Sequence, residues 1–416
     1  MSFHYQQKQK ELLNLAGSGA RHIMAYGGSR SGKTFALLCA LVVRALKAPG
    51  SRHAVIRYRY KSVRQSVGLE TLPAVMRLRF PEVPFLQNKS DGFFRLANGS
   101  EIWLIGLDDP NRADKALGKE YSTLYFNECS ELIFDSVESI YSRLAQKVPP
   151  LINKCFYDCN PPSKSHWTYR MFIQALHPKT KAALQDPADY AALLLNPTDN
   201  AENLDPDYIS KTLGNMSPRQ RDRFLYGKFL DDVEGALWTA DMIDSFRVVS
   251  PPDDFRRIVV AVDPAVTANE ASDETGIVVA AEGTDGHYYI LEDASMKAPP
   301  LTWAHKVDDL YNAYDADLVI GEVNNGGDLV NVLMEKVNPD IPFRQVRASH
   351  GKRKRAEPAA ELYRKGRVHH VGVFSELEEQ MTSYNPLTYA GSPDRMDAAV
   401  WAITELSRSS SRMIQA

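Results

Sequence analysis

Eight residues, Gly27-Gly28-Ser29-Arg30-Ser31-Gly32-Lys33-Thr34, fit the pattern G-x-x-x-x-G-K-[ST] without a mismatch. Glycines at these positions let successive backbone N–H groups converge on phosphate oxygens, and the helix start that follows adds partial positive charge. In this arrangement Lys33 reaches the β- and γ-phosphates and Thr34 holds Mg²⁺, which makes ATP the expected ligand. A second set of residues could do different chemistry. Asp263, Glu322, Asp394 and Asp397 stand at three separated places in the chain. Brought together, such carboxylates can hold two Mg²⁺ or Mn²⁺ ions about 4 Å apart, one activating water and one stabilising the leaving oxygen of a phosphodiester.

The elements that must position the first set are readable from local pattern. His22 to Tyr26 is short, apolar and β-compatible, and Phe35, Leu37, Leu38, Leu41 and Val42 recur at helical spacing, giving strand, loop, helix. Ser122 to Phe126 reads as a buried strand ending in Asn127-Glu128. An acid at such a strand end supplies the water-activating side of a phosphate-loop ATPase. Glu128 is therefore the expected general base, while Asn127 can orient a metal-bound water without contributing charge. Cys155 to Cys159 forms a further strand ending in Asn160-Pro161, where Asn160 can meet the γ-phosphate or the lytic water. Gln7 and Gln9, in a helix-like opening from Tyr5 to Leu15, are candidates to read the adenine edge. Charge on the transferring phosphoryl group calls for an arginine. Arg30, Arg112 and Arg143 are available, and Arg112 is favoured as a finger acting on a neighbouring subunit.

Around the second set, Ile258 to Val262, Gly276 to Ala280 and Tyr288 to Leu291 read as three successive strands. A helix from Trp303 to Tyr314 and a strand from Leu318 to Glu322 follow, an order that puts Asp263 and Glu322 side by side at adjacent strand ends in a ribonuclease H-like scaffold. Asp394 and Asp397 share one face of a helix start, and Asp273 is an auxiliary candidate. Nine basic residues between Arg344 and Arg367 face only Glu357 and Glu361 in sequence, which suggests contact with a phosphate backbone. A second basic stretch, Arg52, Arg57, Arg59, Lys61 and Arg64 with Tyr58 and Tyr60 interleaved, could track a nucleic acid or be a solvated face.

The bulk numbers agree with a chain that folds over most of its length into more than one domain. At 416 residues the chain should form about two to three domains. The boundaries expected are 1–230 for the ATPase, 231–252 for a linker and 253–416 for the nuclease. Between the motifs, Asn98-Gly99 marks a hairpin joining Phe93–Leu96 to Glu101–Ile105, and 165–230 reads as mostly helical and mixed. Four cysteines without a C-x-x-C pair argue against zinc and against a disulfide framework, and suit a reducing cytosol. The longest apolar run, Phe35 to Val43, is too short to span a bilayer. A net charge of −3 requires any DNA contact to come from local basic patches.

In their order and combination these motifs resemble the large terminase subunit of tailed bacteriophages. The resemblance rests on the Gly27 to Thr34 loop, Asn127-Glu128, Asn160-Pro161, Val262-Asp263-Pro264, Gly321-Glu322 through Asp328, Gly351-Lys352, Arg355 to Pro358, and Asp394 to Ala398. It implies an α/β chain: an additional-strand (ASCE-type) P-loop ATPase followed by a ribonuclease H-like nuclease. It also implies translocation of double-stranded DNA and cutting of concatemers. The partners would be a portal protein and a small terminase subunit, with the chain forming a ring homo-oligomer, a pentamer on the procapsid, in the host cell cytoplasm. Two positions depart from the family pattern or leave it open. Asn127 replaces the commoner aspartate, and either Asp394 or Asp397 could touch metal. A helicase-nuclease of DNA repair is the alternative, but 165–250 carries no run of helicase-type motifs. A scaffold protein with a dead second domain would lack carboxylates that this sequence retains.

Overall fold

A computed structural model of the chain describes residues 5–108, 114, 117–264, 274–322, 327–347, 352–389 and 391–413. It comprises two compact units, Met1–Asp231 and Asp232–Ala416. Arg112 and Asp273 fall outside the described residues.

The first unit is built on strands β1 (His22–Tyr26), β2 (Arg52–Arg57), β3 (Phe85–Asn88), β4 (Phe93–Leu96), β5 (Glu101–Gly106), β6 (Thr123–Phe126), β7 (Lys154–Cys159) and β8 (Tyr190–Leu194). They form one sheet in the order β3-β4-β5-β2-β6-β7-β1-β8. From β5 to β8 every pairing is parallel. A parallel sheet covered on both faces needs strands that are apolar on both sides, and β6 and β7 are buried at every residue. The helix Lys33–Lys47 places Leu37, Leu38, Leu41 and Val42 against Val55 and Leu104 on one face. Phe126, Tyr157 and Trp167 fill the other face. The hairpin expected around Asn98-Gly99 is present, with Phe93 opposite Trp103 and Gly99 at φ 80°.

One strand, β7, separates the strand that feeds the phosphate loop from the strand that ends in Glu128. This is the additional-strand arrangement expected of the ATPase. Because β1, β6 and β7 run parallel, their C-terminal ends and the loops after them lie along one edge of the sheet.

Two elements depart from the sequence reading. The segment 165–230 does contain short helices, Trp167–Phe172, Tyr208–Leu213 and Pro218–Phe224, but it also supplies β8. Tyr-Ala-Ala-Leu-Leu is rich in helix formers, and it becomes a strand because β1 offers an edge in register from His22↔Tyr190 to Tyr26↔Leu194. The segment 231–252 reads in sequence as a join, yet most of it packs into the second unit. Trp238 is fully buried in that unit's core, with its ring against Tyr363, and Ala240–Asp244 is a helix.

The second unit carries β9 (Phe255–Asp263), β10 (Gly276–Gly283), β11 (Tyr288–Asp293), β12 (Leu318–Glu322), β13 (Phe343–Val346) and β14 (Val368–His370) in the order β13-β12-β9-β10-β11-β14. The first three pair antiparallel in succession, and β12 then pairs parallel with β9. The period of two along β9 divides its side chains between two cores. Val259 and Ala261 face the helices Lys352–Arg364, Ser375–Ser383 and Asp394–Met413, whereas Val260 and Val262 face Pro300–Ala313 and Gly327–Val337.

Polar groups inside these cores make stability depend on pH. His53 in the first unit is fully buried between Ser51 and Thr123, and burial pushes its pKa down to about 3. In the second unit, Arg247 donates to Glu378 at 2.6 and 2.9 Å and to Asp244 at 2.5 Å. Glu378 also lies 2.8 Å from His370 Nδ1. Burial alone would raise the Glu378 carboxyl, but Arg247 and His370 hold it far below the usual range. A histidine with a depressed folded pKa leaves only the unfolded state to take up a proton as pH falls below about 6.5, at about 1.4 kcal/mol per pH unit. The Glu378 contribution is present above about pH 4.3 and is lost below it. Thermal melts should therefore show the first unit weakening between pH 7 and 5, with a shallower slope in His53→Gln. Glu378→Gln at pH 7 should cost the second unit about 3 kcal/mol in denaturant unfolding, because buried Arg247 loses the carboxylate that takes two of its hydrogen bonds and keeps Asp244 as its charged partner.

Candidate nucleotide and nuclease sites

The phosphate loop leaves β1 at Gly27, whose φ is 140° and where a Cβ would lie 1.9 Å from the Leu195 carbonyl oxygen. At Gly32, φ is 83° and a Cβ would lie 2.2 Å from Gln9 Nε2. Neither position accepts a side chain, because the Leu195 backbone and the Gln9 side chain pack directly against the loop there and both φ angles lie in the left-handed half of the map. Gly28 and Ser29 continue the loop, the Ser29 N–H donating to Phe224 O at 2.9 Å. Arg30 is exposed and left-handed at φ 57°, and Ser31 is buried. Lys33 is buried and turned back into the loop, with Nζ 2.6 Å from Gly28 O, 3.1 Å from Gly27 O and Ser31 Oγ, and 3.3 Å from Asn160 Oδ1. Burial lowers its pKa, and Glu128 and Asp158 oppose that shift. Oxygen atoms thus occupy the surroundings of Lys33 that phosphates would fill, which fits an anionic ligand.

Glu128 follows β6 in a left-handed conformation, φ 48°. Its carboxyl is pushed up to about 7 by burial first and then by Asp158, against Lys33 and Arg57. Asn127 is buried and donates from Nδ2 to Asp158 Oδ1 at 2.9 Å. Thr34 Oγ1 donates to Asp158 Oδ2 at 2.5 Å. Lys33, Thr34, Asn127, Glu128 and Asn160 are therefore gathered at one sheet edge. Asp158, which sequence reasoning passed over as part of an apolar strand, sits in their midst.

The two glutamines separate. Gln9 is buried behind the loop, its Nε2 3.4 Å from Asn200 Oδ1, and Asn200 in turn donates to Arg30 O at 2.7 Å. Gln7 is exposed, its Nε2 donating to Glu11 Oε1 at 3.4 Å. Residues two apart on a helix point about 200° away from each other, so Gln7 cannot share the face that Gln9 presents. Arg143 is exposed on the surface. The first basic stretch also divides. Arg57 is committed to Glu131 at 3.0 and 3.1 Å, and Tyr60 lies against Gly92 and Gly106, while Arg59, Lys61 and Arg64 are exposed. Arg57 and Tyr60 are thereby removed from a nucleic-acid track.

In the second unit, the register Gly321↔Val262 sets Glu322 beside Asp263 at neighbouring strand ends. The helix Asp394–Met413 crosses β9 and β10 and brings in Asp394 and Asp397, both buried. Burial raises the Asp263 carboxyl well above its usual range, reinforced by Asp397, Glu322 and Asp394 and opposed by Lys352. Burial also raises Asp397, against Lys352 and Arg355. Asp394 and Asp397, with Glu322, thus all bear electrostatically on Asp263, and both aspartates of the helix belong to the cluster. Among the described residues no three Asp, Glu, His or Cys side chains close into a finished metal cage. Two cations of the chain itself offset part of the charge. Lys352 Nζ is 2.6 Å from Asp397 Oδ2, and Arg355 reaches Glu322 at 3.3 Å and Asp397 at 3.5 Å. Trp401, which no sequence signal singled out, donates its indole N–H to Glu322 at 2.5 Å and carries Arg355 over its ring. A carboxyl pushed up by burial and then by three other acids is what a divalent cation relieves, so these residues fit the ions expected of them.

The nine basic residues between Arg344 and Arg367 are less uniform than a phosphate-contact surface requires. Lys352 and Arg355 face the carboxylates, Arg344 pairs with Glu405, Arg353 with Glu357, and Arg364 and Lys365 with Glu361. Sequence counting could not reveal this, because Glu322, Asp397 and Glu405 come from elsewhere in the chain.

Comparison with known proteins gives two family matches and a set of similar folds. The model described as phage terminase large subunit matches residues 19–228, and the one described as terminase RNaseH-like domain matches 260–406. No curated protein matches the chain. Among solved structures, the large terminase of a thermophilic bacteriophage is 16% identical with a TM-score of 0.51, covering 97% of this chain and 99% of that one. The same phage's large terminase in complex with ADP is 14% identical with a TM-score of 0.50, covering 95% and 98%. At such identities the structures speak for the fold alone. The family match across the whole phosphate-loop sheet, half of the chain, carries the assignment: this chain belongs to the phage terminase large subunits, with an ATPase domain followed by a ribonuclease H-like nuclease domain.

Proposed function

We propose how the named residues divide the work of this DNA-packaging ATPase and nuclease. Gly27 to Thr34 cradles the triphosphate of ATP, Lys33 leaves its backbone carbonyls to hold the β- and γ-phosphates, and Thr34 with Asn127 faces Mg²⁺. Glu128 takes the proton from the attacking water, and a carboxyl near neutrality in its resting surroundings suits that role. Asn160, already 3.3 Å from Lys33, senses the γ-phosphate. Gln9 supports the loop from behind, and Arg112 acts as a finger on the neighbouring subunit. The observation that carries this reading is the meeting of Lys33, Thr34, Glu128 and Asn160 at the C-terminal edge of three adjacent parallel strands.

In the nuclease domain, Asp263, Glu322 and the Asp394/Asp397 pair hold two divalent cations, Mg²⁺ with Mn²⁺ as a substitute. When bound, such ions activate water and stabilise the leaving oxygen. Lys352 and Arg355 keep the carboxylates in position until then. The molecule moves and cuts double-stranded DNA as a ring homo-oligomer, a pentamer on the procapsid, in contact with the portal protein and a small terminase subunit. This work takes place in the host cell cytoplasm. Among the described residues no helix is long and apolar enough to cross a membrane. The helicase-nuclease alternative gains nothing from the family matches.

Lys33→Ala and Glu128→Gln should each lower ATP turnover about 10²-fold or more. Plasmid cleavage in Mg²⁺ or Mn²⁺ should persist in both, and loss of both activities together would contradict the division of labour. Asp263→Asn or Glu322→Gln should abolish plasmid cleavage and leave ATP turnover intact, as should EDTA for cleavage by the wild-type protein. Cleavage surviving either substitution would rule out this metal site.

A further inference from the structure

A P-loop ATPase ordinarily holds its Mg²⁺ between the loop hydroxyl and an aspartate on the acidic strand. Here that strand ends in Asn127, whose amide orients but adds no charge, although Mg²⁺ favours anionic oxygen donors. The missing carboxylate has a counterpart one strand away. The pairing Phe126↔Tyr157 sets Asn127 beside Asp158 at the ends of β6 and β7, and Ala25↔Asp158 sets the same residue beside the strand that feeds the phosphate loop.

Asp158 is 1% exposed and is held by four donors. Oδ2 accepts from Thr34 Oγ1 at 2.5 Å and Tyr125 OH at 2.8 Å, and Oδ1 accepts from Asn127 Nδ2 at 2.9 Å and the Glu128 N–H at 2.8 Å. Three of these partners belong to the proposed nucleotide machinery. A carboxylate serving the β-sheet alone would have no reason to meet the loop threonine and the backbone of the general base at once.

We propose that Asp158 is the relocated acidic residue of the Mg²⁺–nucleotide site, supplying through Thr34 the negative charge that Asn127 lacks and fixing the backbone of Glu128. It acts as a positioning residue: it orients the threonine hydroxyl and shapes the field at the metal without needing to touch the nucleotide. This inference rests on the nucleotide reading of the loop.

The test uses the full chain and a fluorescent ATP analogue, titrated in Mg²⁺ and separately in EDTA. Wild-type protein should bind more tightly in Mg²⁺. Asp158→Asn should lose that Mg²⁺-dependent tightening by about tenfold or more while keeping its affinity in EDTA. The double variant Asn127→Asp with Asp158→Asn, which returns the charge to the neighbouring strand, should regain it. Mn²⁺ paramagnetic resonance in the presence of ATP reads the same order without turnover. Unchanged Mg²⁺ dependence in Asp158→Asn would overturn the proposal. So would equal weakening in Mg²⁺ and EDTA without recovery in the double variant, or failure of both variants to fold, either of which makes Asp158 structural. Wild-type protein that binds no nucleotide in either condition would instead overturn the reading of the loop.

Discussion

Parallel pairing of β6, β7 and β1 is the constraint on which the ATPase unit depends. Hydrogen bonds between parallel strands fix register residue by residue, so groups more than a hundred positions apart in sequence arrive at the same edge. Thr34 and Asp158, separated by 124 positions, meet at 2.5 Å for this reason. The crossover helices cover both faces of the sheet, exclude water from the strand interiors and leave only the ends of the strands accessible. A polar group at such an end is buried on its sides and open in one direction, which is how Glu128 comes to have a carboxyl near 7.

The nuclease unit meets the same physical demand with a different sheet. Two neighbouring strands and one crossing helix concentrate four carboxylates where water is scarce. Such a cluster is costly unless opposite charge lies within reach. Lys352 and Arg355 supply it at 2.6 to 3.5 Å, and Trp401 steadies both an acid and a base through its N–H and its ring face. The loop Lys33 is the mirror case, a buried cation surrounded by oxygen acceptors. In each site, groups of the chain itself stand around the buried charge: backbone carbonyls and a serine hydroxyl around Lys33, and Lys352 and Arg355 beside the carboxylates.

Stability and function share these polar interiors. His53 and the Arg247–Glu378–His370 cluster are buried polar groups whose proton affinities are shifted by burial and by the partners they meet in the folded chain. The segment that carries Trp238 and Arg247 ties the chain leaving the first unit into the second unit's core.

Much of the chemistry was legible in the sequence because it is carried by local pattern. Gly27 to Thr34 needs only eight consecutive residues to specify a phosphate loop, and the apolar runs ahead of Glu128, Asp263 and Glu322 announce strands that end in acids. Tertiary structure alone decided what those ends meet. Tyr190–Leu194 is a strand because β1 had an edge to fill, and Gln7 and Gln9 part company because a helix turns them to different faces. The basic residues after Arg344 looked like a free surface until acids from distant segments paired with them. Asp158 was hidden for the same reason. Its spacing carries no motif, and its importance comes from a register between strands that no local stretch of sequence contains.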